Sequence, residues 1–129
     1  MPKSINILTQ NIQCLSNKKT LQLRDTLEFN KFDILMFSEH WQKDENINLI
    51  KLPNFKLGDY YARKSSCRGG SCIYINDKLD NFNKMNNIKV LCSDLHFEIS
   101  CIQFTSDKII FGSFYRSPHA DIQIVFSKL

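Results

Sequence analysis

The stretch DILMFSEHW, Asp33 to Trp41, joins an unbroken apolar run to a carboxylate, an imidazole and an indole in succession. Such a run, with no alternation, predicts a strand covered on both faces. A strand of that kind ends poorly on Glu39 unless something compensates the charge, because carboxylates are seldom buried without a partner. Upstream, INILTQN (5–11) is short and β-branched and predicts another strand. Between the two lies CLSNKKTLQLRDTLEFN (14–30), in which Thr20, Leu23 and Leu27 share one face at helical spacing. The order is β-α-β, a unit that normally makes a right-handed crossover between parallel strands. Asn11 and Glu39 are therefore expected as neighbours on one edge of a sheet.

Downstream the pattern changes. QKDENINLIKLPNFK (42–56), with Pro53, predicts a loop containing a short helical turn. GDYYARK (58–64) and SCIYIN (71–76) predict strands flanking a Gly69-Gly70 turn, and NIKVLC (87–92), LHFEISCIQF (95–104) and KIIFGSFY (108–115) predict three more. In SPHADIQIVFSKL (117–129), Asp121 suits a helix N-cap, and Ile122, Val125, Phe126 and Leu129 recur at helical spacing. No C-terminal cap follows, so a domain continuing past Leu129 is expected.

The chain has 129 residues and a mass of 15.1 kDa, room for one domain. Its 43% hydrophobic and 23% charged residues match a soluble globular protein, and no long apolar span or secretory signal predicts membrane insertion. A net charge of +4 tilts toward polyanionic partners, though ordinary solubilising surface explains it equally. Five cysteines, an odd number with no C-x-x-C spacing, predict a reducing, intracellular setting, nuclear or cytoplasmic.

Ligands of α/β sheets gather beyond the carboxyl ends of strands. Three ends carry polar groups: Gln10-Asn11, Ser38-Glu39-His40 and Tyr115-Arg116. A carboxylate beside an amide oxygen suits Mg²⁺, which takes oxygen ligands and leaves positions for water and phosphate; an arginine and a phenol would supply charge and a donor to phosphate oxygens. Each group alone has a plainer reading, Glu39 and Asn11 as solvated or capping residues, Tyr115 and Arg116 as a packed aromatic beside a surface cation. Arg63, Lys64 and Arg68 cluster with Tyr60 and Tyr61 near Gly69-Gly70, which suits either salt-dependent phosphate contact or a solvated hairpin tip. Of the histidines, His40 should face away from Glu39, His96 should lie in a strand, and His119 in a loop.

NILTQNIQCL (6–15), DILMFSEHW (33–41), RGGSCIYI (68–75), LHFEIS (95–100) and FGSFYRSP (111–118), in this order and with these gaps, resemble the endonuclease/exonuclease/phosphatase superfamily. The likeness is nearest to the apurinic-type endonuclease domain of non-LTR retrotransposon polyproteins, and it covers almost the whole chain. It implies a deoxyribonuclease-I-like four-layer α/β sandwich, here the N-terminal half, spanning 1–129. It also implies Mg²⁺- or Mn²⁺-dependent phosphodiester hydrolysis on DNA, with a reverse transcriptase downstream. By this resemblance Asn11 is the active-site asparagine, Glu39 the metal-binding glutamate and Tyr115 the tyrosine facing the scissile phosphate; Arg116 matches a residue often found there. Absent are a GDFN-like element and an SDH-like element, which supply two aspartates, an asparagine and the catalytic histidine. An incomplete domain, inactive alone and poorly soluble through an uncovered sheet face, is therefore expected. A superfamily phosphatase or sphingomyelinase, and a non-catalytic nucleic-acid-binding fragment, are the alternative readings.

Overall fold

The computed structural model describes residues 4–66, 68–118 and 120–128. Among them are seven strands in two sheets and four α-helices, a mixed α/β architecture. The first sheet begins as the sequence predicts. Strand β1 (Ile7–Asn11) pairs in parallel with β2 (Ile34–Ser38), and helix α1 (Asn17–Leu27) connects them. Helix α1 starts at Ser16, whose hydroxyl accepts the Lys19 N–H at 3.1 Å, and ends at Glu28 in the left-handed region. The parallel register sets Asn11 opposite Ser38, and the Ile12 N–H donates to the Ser38 carbonyl at 3.0 Å.

A short helix α2 (Asp44–Ile47) follows, then strands β3 (Phe55–Tyr61) and β4 (Ser71–Asn76), giving the sheet order β1-β2-β4-β3. The second sheet is β5-β6-β7, built from β5 (Phe82–Lys84), β6 (Glu98–Phe104) and β7 (Ile110–Tyr115). Residues 87–92, expected as a strand, instead hold helix α3 (Asn86–Lys89) and a turn. The Met85 carbonyl accepts N–H groups from Ile88 and Lys89, and Val90 stays 78% exposed, so this short apolar run has no sheet face to cover. Helix α4 (Ile122–Lys128) is capped as predicted: the Asp121 side chain accepts the Gln123 N–H at 2.9 Å.

Strand β2 is buried on both faces, and its alternation divides the core. Leu35 and Phe37 join Leu15, Phe29 and Tyr74 under the helical layer, whereas Ile34 and Met36 meet Ile73, Ile75, Ile102 and Phe104 between the sheets. Each such side chain contributes about 1.5–3 kcal/mol by leaving water. On the outer face of the second sheet Ile110 and Phe114 are 49% and 45% exposed, Phe114 packing against Phe97.

The Gly69-Gly70 pair is not a tight hairpin turn. Residues 62–70 form a nine-residue connection between β3 and β4, and both glycines have positive φ, 72° and 89°. Their backbones lie flat against other groups: a Cβ on Gly69 would collide with the Arg63 guanidinium, and one on Gly70 with the His40 ring. Gly70→Ala is expected to cost about 2–4 kcal/mol, combining backbone strain with overpacking. Urea denaturation checks this, and a midpoint unchanged from the wild type would contradict the close approach.

Candidate functional site

The space between the sheets changes character along the strands. At one end it is apolar, from Ile34 and Ile75 to Phe104. Two residues on, the same faces carry Ser38, Ser71, Ser100 and Ser113, because Ser38 pairs with Ser71 and Ser100 with Ser113. The Ser71 and Ser100 hydroxyls are buried and without partners among the described residues. Beyond the serines the rim holds Glu39, Tyr115, Arg63 and Glu98.

Glu39 directly follows β2 with φ 58°, a left-handed backbone that turns its carboxylate toward the second sheet. There the Tyr115 hydroxyl, at the end of β7, donates to Glu39 Oε1. Desolvation, then the Glu39 contact, pushes the Tyr115 phenol up to about 12, so it remains a donor at neutral pH. Glu39 Oε2 takes no hydrogen bond among the described residues.

Glu98 lies opposite Tyr115 in the β6–β7 register and is fully buried. It accepts from Arg63 Nε at 2.8 Å, the Gly70 N–H at 2.7 Å and the Leu95 N–H at 2.9 Å. The Arg63 guanidinium lies over the Tyr115 ring, 5.9 Å from its centroid. Arg63 therefore differs from the surface cation expected: it is 8% exposed, its charge answered by Glu98 rather than by solvent. Glu98 went unnoticed as a site residue, yet its signal is readable. It shares the inward phase of Ser100, Ile102 and Phe104, where a carboxylate requires a partner.

His40 turns away from Glu39, as expected, and is fully buried. Its Nδ1 accepts the Gln42 N–H at 2.9 Å, which leaves Nε2 to donate to the Tyr61 carbonyl at 2.7 Å. That is the neutral tautomer, and burial lowers its pKa to about 4 despite the Tyr61 contact. His96 sits in a turn rather than a strand, its Nδ1 accepting the Asp121 N–H at 2.9 Å. His119 and Cys67 lie outside the described residues; Cys14, Cys72, Cys92 and Cys101 are free thiols.

The other expected residues sit as follows. Asn11, exposed at the end of β1, makes no side-chain hydrogen bond among the described residues. It lines an open groove of about 440 Å³ with Ser38, Gly112 and Ser113, between the edge strands β1 and β7. Arg116 is exposed beyond Tyr115. Lys64 is exposed on a loop fastened by Asp94, which accepts from the Lys64 and Ser65 N–H groups at 3.0 and 2.8 Å. Arg68 is exposed, its guanidinium 4.8 Å from the Trp41 ring centroid. A larger hollow of about 950 Å³ along β3 is lined by Arg63 and Lys64 together with Tyr60 and Tyr61, which are bonded to Asp44 and Asp94, and Lys89, which is paired with Asp59.

Among the described residues no three of His, Cys, Asp and Glu cluster as a metal cage. The strand register places Asn11 opposite Ser38, one residue before Glu39, and no hydrogen bond joins the Asn11 and Glu39 side chains among the described residues. No helix of the described residues is long and apolar enough to cross a membrane. No family model matches the chain, and no curated protein matches it either.

The His40 environment gives a pH dependence. The folded pKa lies below the ordinary 6.5, so the unfolded chain binds the proton first as pH falls. Stability is complete above pH 6.5 and declines by about 1.4 kcal/mol per pH unit toward pH 4. A urea midpoint flat between pH 6.5 and 5 would contradict the buried neutral imidazole.

Proposed function

We propose that this rim binds a divalent cation and a DNA phosphodiester, as the metal- and phosphate-holding half of an endonuclease of the retroelement type. The observation that carries the reading is the Tyr115–Glu39 hydrogen bond, which joins the ends of strands from two different sheets into one polar mouth. Two facing sheets with helices over the first also support half of a deoxyribonuclease-I-like four-layer sandwich.

Glu39 Oε2 and the Asn11 amide oxygen would hold Mg²⁺ or Mn²⁺, which when bound polarises a phosphoryl oxygen and offsets developing negative charge. The remaining work belongs to the chain. Tyr115 keeps its proton at neutral pH and can pass its hydrogen bond from Glu39 to a non-bridging phosphate oxygen. Arg116 adds an exposed cation at the same strand end. Ser38 and Asn11 line the groove along which a sugar-phosphate chain would run.

Among the described residues no imidazole is poised to activate water. Both His40 nitrogens are occupied and shielded from solvent, and among the described residues no other imidazole stands at the rim. For the isolated 129 residues this favours the reading as a nucleic-acid-binding fragment that does not cleave. The phosphatase and sphingomyelinase reading keeps the same residues but has no such observation in its favour.

Binding to a short DNA duplex at two salt concentrations, with Mg²⁺ and with chelator, tests the proposal. Affinity should fall with salt and rise with Mg²⁺ in the wild type, and Glu39→Gln should lose the Mg²⁺ response while keeping the salt response. Plasmid nicking should stay at background. A Mg²⁺ response that survives Glu39→Gln would refute the assignment, and robust nicking would refute the half-site.

A further inference from the structure

Trp41 is the single tryptophan of the chain. It is half-buried, belongs to neither hydrophobic cluster, and has φ 61°. For so bulky a residue that backbone is sparsely populated and costs free energy, which core burial does not offset here. Specific bonds impose it: the Trp41 N–H donates to the Gly69 carbonyl at 3.0 Å, and the next N–H, from Gln42, donates to His40 Nδ1. The result is a three-way sorting of consecutive side chains. Glu39 faces Tyr115, His40 is sealed inside, and Trp41 is left with the exposed Arg68 guanidinium over its ring.

We infer that Trp41 and Arg68 form a stacking platform for an unpaired nucleobase, two residues along the chain from the carboxylate that faces the phosphate. The inference rests on the phosphodiester reading and sharpens it to a substrate class: single-stranded or locally unpaired nucleic acid rather than continuous duplex. The exposed Arg68 guanidinium already covers the half-buried indole, so a base enters by stacking on that guanidinium or by displacing it from the ring toward the backbone phosphate.

Because Trp41 is the sole tryptophan, its fluorescence reports this surface directly. The wild-type protein in chelator, with no divalent metal, is titrated with oligothymidylate of about ten nucleotides, with an abasic phosphodiester of equal length and charge, and with a duplex. Oligothymidylate should quench the emission saturably and bind at least about 5-fold more tightly than the abasic chain, the range expected for one stacked base. Trp41→Leu should abolish that preference and Trp41→Phe should keep part of it, both read by anisotropy of labelled oligomers after urea melts show cooperative folding. Equal affinity for the abasic chain, unaltered emission, or an undiminished preference in Trp41→Leu would overturn the inference. The measurement excludes metal, so its failure is separable from that of the cation site, which the Mg²⁺ response of Glu39 reports.

Discussion

The Glu98 carboxylate is the joint on which the rim depends. Fully buried, it collects a guanidinium and two backbone N–H groups from three separate segments: the start of the 62–70 loop, its end, and the turn before β6. Removing one partner from such a pair costs about 3–5 kcal/mol, because the other charge stays buried without an answer. With Arg63 held, the Tyr115 ring has a bed; with Gly70 held, its carbonyl accepts the Glu39 N–H at 2.8 Å and fixes the turn that aims the carboxylate. The two catalytic candidates therefore share one support, Tyr115 as the cross-strand neighbour of Glu98 and Glu39 through the Gly70 carbonyl.

A gradient of polarity between the sheets makes this arrangement affordable. The apolar half excludes water and carries the burial energy; the serine layer and the charged rim sit where the strands end and solvent begins. The left-handed Glu39 and Trp41, on either side of the sealed His40, fan successive side chains in three directions from one short segment. A regular strand could not do this, since its neighbours alternate between only two faces.

What the sequence revealed follows from the range of the interactions involved. Strand β1, helix α1 and strand β2 were readable because period and capping are local, and the nearness of Asn11 to Glu39 followed from parallel pairing. The N-cap at Asp121 was readable for the same reason. Arg63 was misjudged because its partner is 35 residues away, and a basic cluster looks like surface until the buried carboxylate is found. The Gly69-Gly70 pair signalled special backbone correctly but suggested the wrong cause, since what the glycines permit is close approach to Arg63 and His40 rather than a tight turn. NIKVLC was ambiguous from the outset, as short apolar runs are, and only the absence of a sheet face for Val90 decides it.

The proposed site requires that Asn11, Glu39 and Tyr115 gather around one cation-binding point. Paramagnetic broadening by substoichiometric Mn²⁺ in the NMR spectrum of the 129-residue chain tests this most directly. The signals of Asn11, Glu39 and Tyr115 should broaden first and together, ahead of those of Asp44, Glu45 and Asp94 in the larger hollow. Broadening centred on that hollow, or spread evenly over the surface acids, would contradict it.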